Sequence, residues 1–310
     1  MNLSNKTICV AGIGGVGGYL GAALAKTYPH VTFLARGKRL EHIRTNGLSI
    51  VSKSLGSFTI MPFSASDSAA DFGHIDCLFI CCKNYQLKEL CIQLKPYISS
   101  GTIIVPIMNG ITAATEIREA FHKGIVIDAL IYIISTALAD FSIEDISPSP
   151  LVQIGKQHAT IEENEIITSV KDLLSYSGIP CKVEEDIEAA VWTKFIQNCA
   201  FNVATAYYMT DAQGIYSDQT RLKKYYSLLS ESCLVARALG IHIADDLEDN
   251  LYKRLLYKTE AAGTSSLKKD MAAKRQNELD TFSGTLIRKA KSLQIPVPDS
   301  EEFYSGLVKM

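Results

Sequence analysis

Residues 7–36 pass from an apolar stretch (Ile8 to Ala11) through a G-x-G-x-x-G turn into an alanine-rich helix and a second apolar stretch (Val31 to Leu34) closed by Arg36. Strand, glycine turn, helix and strand in that order make a βαβ unit able to hold a dinucleotide. Gly12 permits a tight strand-to-helix turn, Gly14 lets the backbone approach a pyrophosphate that a Cβ would block, and Gly17 lets the helix lie close to the strand. Ile13, Gly15 and Val16 complete the turn. A pyrophosphate there would face the unpaired N–H groups and positive dipole end of the helix. A merely structural glycine turn is the competing reading, and the flanking strands argue against it.

The end of the second strand refines the cofactor. An Asp or Glu there would take the ribose hydroxyls of NAD, but the chain reads Leu34-Ala35-Arg36-Gly37-Lys38-Arg39. Three cations without a carboxylate suit a 2′-phosphate, which Arg36 can grip bidentately, so NADP(H) is the expected cofactor. A solvated cationic start to the next helix is the alternative.

At 310 residues the chain can build two cores, and 47% hydrophobic with 21% charged residues is an ordinary globular balance. A net charge of −2 with no basic stripe argues against nucleic acid as partner. No apolar run approaches the length of about 18 needed to cross a membrane, and the N-terminus enters the first strand without a leader pattern, so a cytoplasmic location is expected. The eight cysteines lack C-x-x-C spacing, which predicts buried reduced thiols and no metal centre.

Up to residue 184 short β-rich runs alternate with helical ones. Strands are predicted at Ile8–Ala11, Val31–Leu34, Asp76–Cys82, Thr102–Ile107, Ile125–Ile134 and Leu151–Ile154, with smaller ones near Leu48–Val51 and Phe58–Met61. This pattern predicts a doubly wound α/β domain of the Rossmann type over residues 1–184. From Glu184 only helical periodicity remains: to about Tyr208, then Arg221–Leu239, Asp245–Thr259 and Ser266–Leu293. An all-α domain over residues 185–310 is therefore expected to close over a ligand at the carboxyl ends of the strands.

Within the helical half, Lys194, Asn198 and Asn202 stand at i, i+4 and i+8 and share one helix face. Two asparagines and a lysine in an otherwise apolar segment cost stability without improving packing, which marks a site. A solvent-exposed polar face is the other reading. An ammonium next to a ketone can polarise it and then protonate the alkoxide left by hydride transfer, a role that Lys194 fits. Asn198 and Asn202 can both donate and accept toward substrate oxygens.

Taken together these motifs resemble the ketopantoate reductase (2-dehydropantoate 2-reductase) family over nearly the whole length. The resemblance rests on the glycine turn with Arg36, on Lys83-Asn84-Tyr85-Gln86, on Asn109-Gly110, on the W-x-K-x-x-x-N-x-x-x-N run, and on Ser265-Ser266 with Glu278 at matching spacing. It implies Lys194 as general acid with Glu278 beside it, substrate contacts from Asn198, Asn202 and Ser266, and Lys83 and Asn109 where cofactor and substrate meet. Read alone, Ser266 is a helix N-cap, Glu278 a solvated helix residue and Asn109-Gly110 a turn. Ala212 departs from the family pattern, where another polar substrate contact is expected, and Asp211 or Gln213 is the available substitute. The implied activity is NADPH-dependent reduction of 2-dehydropantoate to pantoate, a step toward pantothenate and coenzyme A. Reduction of a different 2-oxo acid and a non-catalytic NADP-binding redox sensor are the alternatives. The expected partner is a small 2-oxo acid, and a homodimer is compatible with the reading.

Overall fold

The computed structural model describes residues 3–257 and 263–310, and the chain divides into two compact units, Met1–Ile187 and Glu188–Met310. The first opens with β1 (Ile8–Ala11), α1 (Gly15–Thr27), β2 (Val31–Leu34) and α2 (Gly37–Asn46). It continues with β3 (Leu48–Ser52), β4 (Gly56–Ile60), β5 (Ser64–Ser66), β6 (Cys77–Ile80), α3 (Asn84–Leu94), β7 (Ile103–Pro106), α4 (Ala113–Phe121) and β8 (Ile125–Val126). Six of these strands make a parallel sheet in the order β5-β2-β1-β6-β7-β8. The chain enters at the centre and winds outward first to one side and then to the other, the doubly wound arrangement.

Both faces of that sheet are covered, which explains why its strands are apolar without alternation. Ile8 and Val10 of β1 face a core that contains Tyr19 and Leu20 of α1 and Leu173 farther along the chain. Cys9 and Ala11 face the opposite core, built on Leu87 and Leu90 of α3 and Ile117 of α4. The period of two along the strand thus divides one apolar run between two cores.

The predicted single strand Ile125–Ile134 is in fact two. β8 completes the parallel sheet, whereas β9 (Asp128–Tyr132) leaves it and pairs antiparallel with a later strand, Tyr132 opposite Leu151. The residue between them, Ile127, is fully buried and still donates its N–H to Ile104 O at 2.9 Å. The switch therefore uses no glycine or proline and leaves no mark in the apolar run. The remaining elements of this unit are β10 (Ser135–Ala137), β11 (Ile143–Asp145), β12 (Leu151–Gly155), α5 (Ile161–Tyr176) and β13 (Cys181–Val183). A second sheet, β10-β11-β3-β4, is fastened by the buried carboxylate of Asp145, which accepts from Ser52 Oγ at 2.6 Å, Ser147 N at 3.0 Å and Ser147 Oγ at 2.5 Å. A buried charge needs such full satisfaction. The Tyr19 hydroxyl, 3.1 Å from Ser54 Oγ, ties α1 to the same cluster.

The described part of the second unit is helical: α6 (Ile187–Tyr207), α7 (Ala212–Tyr216), α8 (Gln219–Ala238), α9 (Leu247–Tyr257), α10 (Ser266–Ala272), α11 (Thr285–Ser292) and α12 (Pro298–Val308). The predicted end of one helix at Thr259 lies outside the described residues. The predicted helix Ser266–Leu293 is broken. Lys274 turns into the left-handed region (φ +50°), its N–H and that of Arg275 bond back to Met271 O and Asp270 O, and the chain restarts as a π-helical turn at Asp280–Gly284 before α11. Paired back-bonds of this kind end helices, and here a lysine adopts the conformation usually given to glycine. α12 was not predicted, although Pro298 in its first turn followed by Asp299 and Glu301 is a helix-start signal. Its free N–H groups at Asp299 and Ser300 are satisfied by the buried Glu231 carboxylate at 2.9 and 2.8 Å.

Candidate active site

The parallel sheet brings the predicted cofactor residues of the first unit to one edge. Ala11 is in register with Leu34 on one side and Ile80 on the other, and Ile80 with Pro106. The segments just beyond these aligned ends carry Gly12 to Gly17, Arg36, Lys83 and Asn109. Arg36 opens α2 and Lys83 opens α3, each in extended conformation at the helix N-cap position. Asn109 is fixed from α3, its carbonyl accepting from Asn84 Nδ2 at 2.9 Å.

The glycine turn fits a pyrophosphate. Gly12 has φ +94°, and a Cβ there would lie 2.9 Å from Cys82 N. A Cβ on Gly17 would lie 2.0 Å from Gly12 O and 2.9 Å from Cys81 Cβ, so this glycine sets the contact between α1 and the sheet. In front of Gly14 the space is open, with no atom within 4 Å of an added Cβ. α1 has no side-chain cap and no acidic residue in its first turn, which leaves its N-terminal N–H groups and dipole suited to an anion.

The cations after β2 are not equivalent. Arg39 donates to Phe141 O at 2.9 Å and lies over the Phe141 ring, and that burial lowers its pKa. Arg36 pairs with Glu89 of α3 at 3.3 Å, and both side chains are largely exposed, at 53% and 75%. Glu89 was not anticipated, because nothing local in sequence links it to Arg36.

In the second unit the polar face of α6 survives folding. Trp192, Phe195, Ile196, Cys199 and Ala200 are buried, while Lys194, Gln197 and Asn198 are half-buried on the other side and Asn202 is buried. Burial drives the Lys194 pKa down to about 8, and the negative charge of Glu278 opposes that fall. Glu278 is only 4% exposed, so it is not the solvated helix residue that its isolated sequence position suggests. The broken helix explains this. Glu278 precedes the restart, where Asn277 Oδ1 accepts from Leu279 N at 3.0 Å, and π-helical turns often accompany functional sites.

The N-cap of α10 is Ser265, not Ser266. Ser265 Oγ accepts from Lys268 N at 3.1 Å and from the Thr205 hydroxyl at 2.7 Å, which anchors this segment to α6 beside Asn202. Ser266 is exposed at the first helical position. Ala212 is buried at the start of α7, Asp211 is engaged in capping that helix through Gly214 N at 2.9 Å, and Gln213 is exposed. None of the eight cysteines forms a disulfide, and burial raises the pKa of those at 9, 77, 81, 181, 199 and 233. Among the described residues no cluster of three or more His, Cys, Asp or Glu could hold a metal, and no helix is long and apolar enough to cross a membrane.

Two family models cover most of the chain: ketopantoate reductase PanE/ApbA over residues 8–156 and its C-terminal counterpart over residues 186–309. The chain belongs to the ketopantoate reductase family. It is therefore placed among oxidoreductases that use a nicotinamide cofactor. It is 30% identical over 300 residues to the uncharacterized oxidoreductase YkpB of Bacillus subtilis, which covers 96% of each chain. It is 26% identical to the 2-dehydropantoate 2-reductase of Caulobacter vibrioides, over 94% of each chain. The crystal structure of 2-dehydropantoate 2-reductase from Methylococcus capsulatus superposes with a TM-score of 0.86 at 26% identity, covering 98% of this chain and 96% of the other.

Proposed function

We propose that this protein is an NADPH-dependent 2-oxo acid reductase whose substrate is 2-dehydropantoate, with Lys194 as the proton donor. The observation that carries the reading is a lysine with a pKa of about 8 on a polar helix face, with Glu278 as its charge partner. A general acid works best when its pKa lies near the working pH, and at neutrality such a lysine is still protonated but gives up its proton readily. The residues around the glycine turn would hold the nicotinamide cofactor, which when bound would supply the hydride that reduces the 2-oxo carbon. Lys194 polarises the carbonyl oxygen and transfers its proton there, which yields the 2-hydroxy acid. Asn198, Asn202 and Ser266 hold substrate oxygens, Glu278 favours the ammonium form, and Lys83 and Asn109 orient cofactor and substrate. Turnover of NADPH by the purified protein with a panel of 2-oxo acids tests this. Absence of 2-dehydropantoate among the substrates would reject the named substrate.

A different 2-oxo acid is the second reading, and the α7 segment favours it. Ala212 offers no polar contact, and Asp211 is already used as a cap. The same panel separates the two.

NADPH is the proposed cofactor because the phosphate should win the competition for Arg36. An exposed ion pair such as Arg36–Glu89 contributes about 0.2–1 kcal/mol, whereas a charge-assisted contact to a 2′-phosphate is worth about 1.5–3 kcal/mol. Arg36→Ala is expected to weaken NADPH binding by roughly tenfold to a hundredfold and leave NADH binding nearly unchanged. Glu89→Gln, which removes the competitor, is expected to tighten NADPH binding by up to about fivefold. Fluorescence titration of both cofactors checks this, and equal native affinity for NADPH and NADH would reject the assignment.

A further inference from the structure

Helix α1 carries glycine on two faces, and only one of them serves the contact with the parallel sheet. Gly17 and Gly21 lie against that sheet, where added Cβ atoms would meet Cys81 Cβ and the Phe33 ring, each at 2.9 Å. Gly15 and Gly18, three residues apart and so on one side of the helix, lie against the second sheet instead. A Cβ on Gly15 would lie 2.5 Å from Ser135 O of β10, and one on Gly18 would collide with the Ile143 side chain of β11. The G-x-G-x-x-G pattern leaves position 15 open. Glycine there admits β10 to the turn.

β10 brings one side chain to this contact. Ser135 Oγ donates to Gly15 O at 2.9 Å, across 120 residues of sequence. The strand that carries it is pinned: Ser135 stands opposite Asp145 in β11, Ile134 N donates to Ser147 Oγ at 2.7 Å, and Ser147 Oγ donates to the buried Asp145 carboxylate. Folding does not require the Ser135 bond. Gly15 is the first residue of α1, and its carbonyl already accepts the ordinary helical bond from the N–H four residues on. The serine is a second donor to an acceptor that is satisfied without it.

The effect of that bond falls on the other end of the same peptide group. Gly15 C=O and Val16 N–H share one planar unit, and Val16 N–H is among the first-turn donors that have no partner within the helix. A donor on the carbonyl draws electron density toward oxygen and leaves the N–H more positive, the cooperative polarisation of linked hydrogen bonds. It also fixes the plane of the peptide, and with it the direction of the N–H. Both effects favour an anion at this end of α1.

We propose that Ser135 is a positioning residue for the cofactor, orienting and polarising through Gly15 O the Val16 N–H that binds the pyrophosphate. This rests on the reading of the α1 N-terminus as the pyrophosphate site. It adds to that site a side chain from a strand outside the βαβ unit, and its influence is confined to the pyrophosphate.

Two ligands separate this role from a structural one: NADPH, and adenosine 2′-monophosphate, which has the 2′-phosphate but no pyrophosphate. Each is titrated against the whole protein, the second by displacement of NADPH fluorescence. Ser135→Ala should weaken NADPH binding by about threefold to tenfold, the scale of one hydrogen bond, and leave adenosine 2′-monophosphate within about twofold of its native affinity. Ser135→Thr, which keeps the hydroxyl on a residue suited to a strand, should hold NADPH within about twofold of native. The cofactor-free Ala variant should melt within about 2 °C of the native protein, since the Gly15 carbonyl keeps its helical donor. Unchanged NADPH affinity in Ser135→Ala, equal loss of both ligands, or equal loss in the Ala and Thr variants overturns the inference and leaves the cofactor site in place. Failure of Gly14→Ala to weaken NADPH removes the pyrophosphate site itself, and the inference with it.

Discussion

Lys194→Arg is expected to retain the fold and NADPH binding while lowering kcat by about a hundredfold or more. Arginine keeps a positive charge beside Glu278, so the variant avoids leaving a buried carboxylate with one counter-charge removed, but a guanidinium does not give up a proton at neutral pH. The loss therefore isolates proton transfer, which contributes on a scale of about 10²–10⁴. The pH profile of the native protein should agree. The acid is active when protonated, so kcat/KM should fall as pH rises through about 8, where Lys194 titrates. Glu278 raises that pKa, so Glu278→Gln should move the alkaline limb to lower pH. Stability should respond in the opposite sense. The folded pKa lies below the ordinary lysine value, so the unfolded chain holds more protons from about pH 8 upward, and the contribution of Lys194 to stability improves as pH rises through that window. Stopped-flow and steady-state rates across roughly pH 6–11, which brackets both the lowered value and the ordinary lysine value, check the profile. Near-native turnover by Lys194→Arg, or an alkaline limb indifferent to Glu278→Gln, would remove Lys194 from the role of acid.

The parts of this arrangement legible in the sequence are those encoded by local spacing. The glycine turn, the strand ends at Ala11 and Leu34, and the Lys194–Asn198–Asn202 face all follow from periods of 2 and 3.6 and from where glycine is required, whereas the strand expected over Asp76–Cys82 stops at Ile80. Arg36 was legible as a cation closing β2, but its partner was not, because Glu89 is 53 residues away and is brought near only by the order of β2, β1 and β6 in the sheet. Glu278 was legible only through resemblance. Its burial depends on a helix break at Lys274, a residue with no intrinsic preference for φ > 0, and on a capping role for Asn277 that looks like one more polar residue in a charged run. Ser266 reads as the cap of α10 from sequence, but the adjacent Ser265 takes that role, and its tie to Thr205, 60 residues away, has no local signal. The strand switch at Ile127 was hidden for a simpler reason: both sheets demand the same apolar residues.

Gly14→Ala and Gly17→Ala should fail in opposite ways. Gly14 adopts φ −93° and ψ −156°, values open to any residue, and nothing lies within 4 Å of the Cβ that alanine would add. Its fold stability should therefore stay within about 0.5 kcal/mol of the native value. The added methyl would occupy the space in which a pyrophosphate approaches α1, so cofactor affinity should fall by about tenfold or more, as for a lost charge-assisted contact. At Gly17 the same methyl would be driven to 2.0 Å from Gly12 O, a backbone atom that cannot move without shifting the turn from β1. Separating α1 from the sheet disturbs the core around Leu20 and Val10, and overpacking of this kind costs about 1–3 kcal/mol. Urea denaturation monitored by circular dichroism, paired with NADPH titration of each folded variant, distinguishes the two. The first variant should be stable and bind weakly, while the second should unfold at lower urea. A Gly14→Ala protein that binds NADPH as tightly as the native chain would mean that the cofactor does not approach this turn closely, and the α1 N-terminus would lose its assignment as the pyrophosphate site.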